Sequence, residues 1–290
     1  MDLSIVIVTY RSRAFIGACL ESLRSVLAEP GAPAAEVCVV DNASGDGTAA
    51  LVREQHPWVL VVESETNGGF AHGINLGLRA TTGAHVLWLN PDARALKGAG
   101  SGLGEVLAWL REHPSAGVIG GRIVNDDGSV QRSVRAFPSY GAVLGARYSF
   151  LTRWWPENPF SRAYLRGDLS YDREATVDWV SGACLLHRRS VSDALQGLDE
   201  GFFMYFEDVD FCWRATTGGW TVHFHPGFSV MHRIAGSSDL APVRMLVARH
   251  RSLWRWYTKS HQRFWLKDVV IYAGIWVRCA ALIVARGVRR

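Results

Sequence analysis

A chain of 290 residues that is 48% hydrophobic can bury a full core, and its length suits one domain carrying an appendage. The net charge is only +4, and no nucleic-acid partner is expected. Five scattered cysteines (Cys19, Cys38, Cys184, Cys212, Cys279) form no CxxC pair, so neither a zinc ribbon nor a disulfide framework is signalled, and a reducing compartment fits.

The opening "MDLSIVIVTY" lacks the basic region and cleavage site of a secretory signal, so the catalytic part is expected inside the cell. Residues 4–9 read as a buried β-branched strand, 15–27 as a helix and 36–41 as a second strand. A helix at 47–55, a strand at 58–63, a helix at 71–80 and a strand at 86–89 continue the alternation. Strands apolar on both faces with helices between them predict an α/β fold: a mostly parallel sheet covered on each side. From about residue 117 the pattern becomes strand, turn, strand, followed by a strand and helix over 177–190 and a strand in "WTVHFHPG". Residues 141–172, rich in proline, aromatics and arginine, read as an irregular excursion.

In such sheets ligands sit beyond the carboxyl ends of the strands. Three of those ends are polar here: Thr9-Tyr10-Arg11, Asp41-Asn42-Ala43-Ser44 and Asn90-Pro91-Asp92. No GxGxxG follows the first strand, which removes the phosphate cradle of a dinucleotide-binding dehydrogenase. Asp41 alone reads as a turn former, but beside Thr9 and Tyr10 it becomes a candidate acceptor of hydrogen bonds from a base or ribose, with the aromatic ring stacking on the base. Asn67-Gly68-Gly69 precedes a helix, where small residues admit a ligand to the backbone and the helix N-terminus favours an anion. Asp92 in its rigid turn suits Mg²⁺ or Mn²⁺ bridging to substrate phosphates. "MYFEDVDFCWR" places Glu207, Asp208 and Asp210 after five apolar or aromatic residues, either as helix N-terminal acids or as a half-buried base with a raised pKa. His223 and His225 read as structural, and His232 as a group completing coordination begun by Asp92.

The ordered motifs "VIVTYRS", "VVDNASGDGT", "NGGFAHGINLGL", "LNPDA", "VDWVSGACLLHRRS", "FFMYFEDVDFCWR" and "MHRIAGSS", spanning roughly residues 3–260, resemble those of the inverting family-2 glycosyltransferases with the GT-A fold. The "LNPD" form and the "EDVDFCWR" segment are most similar to bacterial rhamnosyltransferases acting on polyprenyl-diphosphate-linked sugars. The resemblance implies a GT-A type catalytic domain over residues 1–240, with a nucleotide-sugar half to about 115 and an acceptor half beyond, and a basic, Trp-rich extension over 241–290. It implies that Thr9, Tyr10, Asp41 and Asn67 contact the nucleotide, with Arg11, Asn42, Gly68 and Asn90 in the same donor site. It further implies Asp92 and His232 as metal or diphosphate ligands and Asp208 as the general base. Trp179, Ser181, Gly182, Glu207 and Arg251 would hold the acceptor. Asn90 departs from the family's DxD motif, which usually starts with Asp; one anionic ligand fewer implies weaker metal binding. The implied donor is dTDP-L-rhamnose, with another UDP- or GDP-sugar, nucleotidyl transfer or a non-catalytic scaffold as alternatives. The first strand lacks the glycine-rich basic loop that nucleotidyl transfer needs.

Over residues 244–259, helical spacing puts Arg244, Arg251 and Arg255 on one face, suited to a diphosphate or acidic headgroups. In "FWLKDVVIYAGIWVRCAALIVARGVRR", Lys267, Asp268 and Arg278 interrupt a span of about 20 apolar residues. Lys267, Arg278 and Arg289 share one helical stripe, which predicts a helix lying peripherally on the cytoplasmic side of the cell membrane with its arginines at the headgroups, or one docked on the protein or a second subunit.

Overall fold

The computed structural model describes residues 1–138, 154–155, 164–166, 169–232 and 242–287. Strands β1 (Leu3–Thr9), β2 (Ala35–Asp41), β3 (Leu60–Glu63) and β4 (His85–Leu89) pair in parallel, connected by α1 (Arg13–Leu27), α2 (Thr48–Gln55) and α3 (Phe70–Ala80). Every residue of β1 is buried, as a central strand covered on both faces requires. Strand alternation divides it between two cores: Leu3, Ile5 and Ile7 pack with Leu20 and Leu23 of α1, while Val6 and Val8 face Ala71 and Ile74 of α3.

Beyond β4 the sheet becomes mixed. β5 (Ala93–Ala95), β6 (Ala116–Val124), β10 (Cys184–Arg188) and β11 (Thr221–His232) complete the strand order β3-β2-β1-β4-β10-β6-β11-β5, with β8 (Ala175–Val177) against β11. β10 is antiparallel to both β4 and β6, and β11 is parallel to β6. α4 (Ala99–Glu112) escaped the sequence reading because its first turns are glycine-rich, although Leu103, Val106, Leu107 and Leu110 form a buried stripe. The glycines permit close packing: a Cβ on Gly102 would overlap the carbonyl oxygen of Gly227.

The single strand expected within 177–190 is broken. β9 (Trp179–Val180) leaves to pair with β7 (Val134–Arg135) in a separate two-stranded sheet, residues 181–183 turn, and β10 then enters the main sheet before α5 (Arg189–Ala194). The excursion over 141–172 lies mostly outside the described residues.

α6 (Glu207–Thr217) is followed, after β11, by α7 (Pro242–Ser260) and α8 (Trp265–Gly287), which pack together as a hairpin. Tyr257 donates to Asp268 at 2.7 Å, Arg263 pairs with the same carboxylate at 2.6 Å, and the Trp254 and Tyr272 rings meet edge-on at 5.0 Å. The body holds α7 through Asp199, which pairs with Arg255 and Lys259, each at 2.6 Å. Burial opposes the Asp199 charge, but hydrogen bonds from Arg255 and Lys259 outweigh it and hold the carboxyl far below the usual range.

The predicted cationic stripe of α8 is inverted. Lys267 donates to the Gln262 carbonyl at 2.6 Å and lies over the Tyr257 ring; Arg278 is half-buried beside Arg249; Arg289 lies outside the described residues. Lys267 and Arg278 thus lie on the α7 side of the helix, and Trp265, Val269, Val270, Val277 and Val284 are exposed on the outer face. Over Trp265–Ala285 the mean hydropathy is 1.8, so the helix is long and apolar enough by length and composition to cross a membrane.

Candidate active site

At the end of β1, the Thr9 side chain is fully buried and its hydroxyl donates to Asp41 Oδ1 at 2.9 Å. This corrects the expectation of a direct nucleotide contact: Thr9 orients Asp41. Asp41, 5% exposed, also accepts the Ser44 hydroxyl on Oδ1 and the Ser44 N–H on Oδ2 at 3.2 Å. Tyr10 and Arg11 emerge at the strand end, with the Arg11 guanidinium 5.5 Å from the Tyr10 ring centroid. Asn42, 1% exposed, donates to Asn67 Oδ1 at 3.2 Å and to the Gly69 carbonyl at 2.9 Å, and accepts the Gly68 N–H. It therefore sets the conformation of the 67–69 loop.

The turn after β4 carries Asn90 and Asp92, and the far end of β11 brings His232 onto it. His232 Nε2 lies 3.3 Å from Asp92 Oδ1 and 3.1 Å from Asn90 Nδ2, while Nδ1 faces Gln131 Oε1 at 3.1 Å. Gln131 Oε1 can only accept, which assigns the proton to Nδ1 and aims the Nε2 lone pair at the turn. The Asn90 amide donates to that lone pair, and a cation between Nε2 and Asp92 Oδ1 would take the place of this bond. One carboxylate and one oriented imidazole thus fit a divalent ion that takes its remaining ligands from phosphate oxygens. Among the described residues there is no cluster of three or more His, Cys, Asp and Glu groups able to hold a metal. His223 and His225 instead place their rings against Trp109 at 5.1 and 5.5 Å.

Two consecutive residues with left-handed backbone, Tyr205 (φ 67°) and Phe206 (φ 70°), turn the chain so that α6 begins at Glu207. Such non-glycine conformations cost about 1 kcal/mol or more each and concentrate at functional sites. The three acids then diverge. Asp210 is fully buried and pairs with Arg214 at 2.8 Å and Lys259 at 2.6 Å, a structural role. Asp208 is half-buried: Oδ2 accepts the Gly182 N–H at 3.0 Å and Oδ1 the Val209 N–H at 2.9 Å. Burial raises its carboxyl above the usual range even though these bonds pull the other way. Glu207 is 8% exposed, and its Oε2 has no hydrogen-bond partner among the described residues. Burial, and then the neighbouring Asp208 charge, push it well above its ordinary value.

Contacts connect the segments that carry these groups. The Phe70 N–H donates to the Phe203 carbonyl at 3.0 Å, tying the 67–69 loop to the approach to α6. A Cβ on Gly182 would sit 3.5 Å from Asp208 Cβ and 3.6 Å from Phe70 Cε1. The Asn90 N–H donates to the Ala183 carbonyl at 3.1 Å, so the Asp92 turn adjoins the turn that holds Asp208. A small pocket lined by Phe15, Asp92, Arg94, Asp126 and Met231 opens beside it.

The acceptor residues fare unevenly. Ser181 and Gly182 border Asp208, but Trp179 is 6% exposed with its Nε1 donating to the Ala136 carbonyl at 2.8 Å, so its ring belongs to the core and not to an acceptor wall. Arg251 stands exposed on α7, and Arg255 is committed to Asp199. Gln131, Phe70 and the Ala183 carbonyl carried no sequence signal, since each acts through a partner remote in the chain.

A mixed α/β sheet whose strand ends gather a carboxylate–imidazole pair and a separate half-buried carboxylate defines a GT-A type glycosyltransferase. The chain belongs to Glycosyl transferase family 2, whose model matches residues 4–191. It is 33% identical over 274 residues to the N-acetylglucosaminyl-diphospho-decaprenol L-rhamnosyltransferase of Mycobacterium tuberculosis, covering 91% of this chain and 86% of the relative. Solved structures share the fold. The mannosyltransferase PcManGT from Pyrobaculum calidifontis, in complex with GDP-Man and Mn²⁺, superposes with a TM-score of 0.58 at 18% identity over 99% of this chain and 75% of that one. S. aureus TarS 1-349 in complex with UDP gives 0.55 at 19% identity over 95% and 70%.

Proposed function

We propose that the chain transfers L-rhamnose from dTDP-L-rhamnose to the sugar of a polyprenyl-diphosphate-linked acceptor, with inversion at the anomeric carbon, in cell-wall or surface-polysaccharide synthesis. The carrying observation is the placement of Asp208, held by the Gly182 N–H, across the 181–183 turn from the Asp92–His232 pair. Asp208 takes the proton of the acceptor hydroxyl as that oxygen bonds to the anomeric carbon, and the bond from that carbon to the diphosphate oxygen breaks on the opposite side. A raised pKa makes the carboxylate a stronger base at neutral pH. Asp92 and His232 would hold Mg²⁺ or Mn²⁺, whose charge stabilises the leaving nucleoside diphosphate. Tyr10, Arg11 and the Asn42-braced 67–69 loop form the nucleotide side.

Residues 1–115 serve the donor, 116–240 the acceptor, and 241–290 attach the enzyme peripherally to the cytoplasmic face of the membrane through the outer face of α8. The M. tuberculosis relative's substrates, as its name gives them, support the donor sugar and the lipid-linked acceptor. Purified protein with Mn²⁺ or Mg²⁺ and a panel of nucleotide sugars tests the reading through donor hydrolysis and thermal protection. Protection by thymidine donors is expected; protection by uridine or guanosine donors alone would overturn the rhamnosyl assignment.

A further inference from the structure

His72, in the first turn of α3, bridges three segments that are remote in the chain. Its Nδ1 lies 2.8 Å from Glu200 Oε2, and its Nε2 lies 3.3 Å from the Ser64 hydroxyl just after β3. Its ring packs against the 67–69 loop, where a Cβ on Gly68 would overlap His72 Cγ. An ionised carboxylate only accepts, so the Glu200 contact places a proton on Nδ1. Asn75, on the same face of α3, donates to Glu200 Oε1 at 2.8 Å and to the Leu198 carbonyl at 2.9 Å, while its Oδ1 accepts the Leu198 N–H at 2.8 Å. Burial opposes the Glu200 charge, but the bonds from Asn75 and His72 outweigh it and hold the carboxyl below the usual range.

The segment these side chains grip, residues 198–206, leads directly to Asp208. α7 holds it from the other side: Arg255 and Lys259 pair with Asp199, and the Ser252 hydroxyl donates to the Met204 carbonyl at 2.9 Å. Main chain also meets main chain. The Phe203 carbonyl accepts the Phe70 N–H, and a Cβ on Gly69 would overlap that same oxygen. The segment ends in the left-handed pair Tyr205 and Phe206, which fixes where α6 and its acids begin. The loop on one side of the site and the base on the other are therefore set by a single brace, and small misplacements of reacting groups are costly.

We propose that His72 and Glu200 are positioning residues that lock the 67–69 loop to the segment carrying Asp208, so that nucleotide binding and base placement depend on one imidazole–carboxylate contact. The inference rests on the reading of that loop as part of the nucleotide site and of Asp208 as the base.

The test compares the full chain with His72→Ala, Glu200→Ala, the double variant and His72→Asn. It measures thermal protection by dTDP, UDP and GDP with Mn²⁺, and kcat and KM for hydrolysis of the matching nucleotide sugars, in which water takes the acceptor's place at Asp208. Each alanine variant should bind the protecting nucleotide about 10-fold more weakly, the scale of one charged hydrogen bond lost, and kcat should fall with it. In His72→Asn the side-chain amide stands where Nδ1 stood and still donates to Glu200, so most of the loss should be recovered. The double variant should be no worse than either single one, because both remove the same contact. Glu200→Gln, which keeps one acceptor oxygen, should give a smaller loss of the same kind and serves as the milder variant.

A purely structural role moves the melting temperature alone. Unchanged nucleotide binding and kcat in both alanine variants overturn the proposal, and so do losses that add in the double variant. Failure of the underlying readings registers elsewhere: in Asp208→Asn if that variant keeps its turnover, and in the choice of nucleotide if UDP or GDP protects in place of dTDP. A wild type protected by none of the three nucleotides removes the nucleotide site and this proposal together.

Discussion

Asp41 and Glu207 are both nearly buried carboxylates, yet one is fully engaged and the other is not. Asp41 accepts from Thr9 and twice from Ser44, so the donor side is arranged before any ligand arrives. Glu207 has an oxygen without a partner among the described residues, and beside it Asp208 receives only backbone N–H groups. Satisfied polar groups build a rigid receptor, whereas under-satisfied buried acids mark where protons move. Under the proposed function, the first group serves shape and the second reactivity.

The strongest test of that division is Asp208→Asn. The amide oxygen can still accept the Gly182 N–H, but the NH2 group then meets the Val209 N–H, so a loss of about 1 kcal/mol in stability is expected while kcat falls about 10²–10⁴-fold; a variant that turns over at the wild-type rate removes Asp208 from the chemistry. Next in size, His232→Ala should lower kcat/KM about 10²-fold and raise the Mn²⁺ concentration needed for half-maximal rate. Gln131→Ala, which frees the imidazole to rotate and also removes bonds to Asn125 and the His232 carbonyl, should cost about 10-fold.

Asp41→Ala probes the donor side through stability instead. It strands the Thr9 and Ser44 donors, and denaturant unfolding should report a loss of about 1–3 kcal/mol. Glu207→Gln is expected to act in the opposite direction, and with a pH dependence. Because the Glu207 and Asp208 carboxyls are raised in the folded chain, that state binds protons the unfolded chain has released. Their contribution to stability is whole below the ordinary carboxylate range and declines as pH rises toward the elevated values. The melting temperature of Glu207→Gln relative to wild type should therefore be higher at pH 8 than at pH 5, and an unchanged difference would place Glu207 in an ordinary environment. The smallest effect on chemistry belongs to Val270→Asp with Val277→Asp, which should leave turnover of a water-soluble acceptor unaltered while reducing co-flotation with vesicles.

Much of the donor half could be read before any coordinates. The β-branched runs ending at Thr9, Asp41 and Leu89 form strands close to where the hydrophobic pattern places them, because a parallel strand buried on both faces announces itself locally. The acids 41, 92 and 208 stand out in the sequence as candidates by residue type and position after apolar runs. What escaped depended on distant partners. The break at 181–183 follows from β9 pairing with β7, the tautomer of His232 from Gln131 across 101 residues, and the diversion of Arg255 from Asp199 across 56. The cationic stripe of α8 had the right period and the wrong direction, since periodicity tells which residues share a face and not what that face meets.

The sequence by itself determined the alternation of strands and helices, the polar strand ends and the chemical identity of the groups available for catalysis, because these depend on periods of a few residues. Only the tertiary structure decided which of those groups are engaged, which are left unsatisfied and which helix face turns outward. Hydrogen bonds, ion pairs and desolvation are settled between residues brought together from remote parts of the chain, and it is that pairing which separates the braced Asp41 from the under-satisfied Glu207.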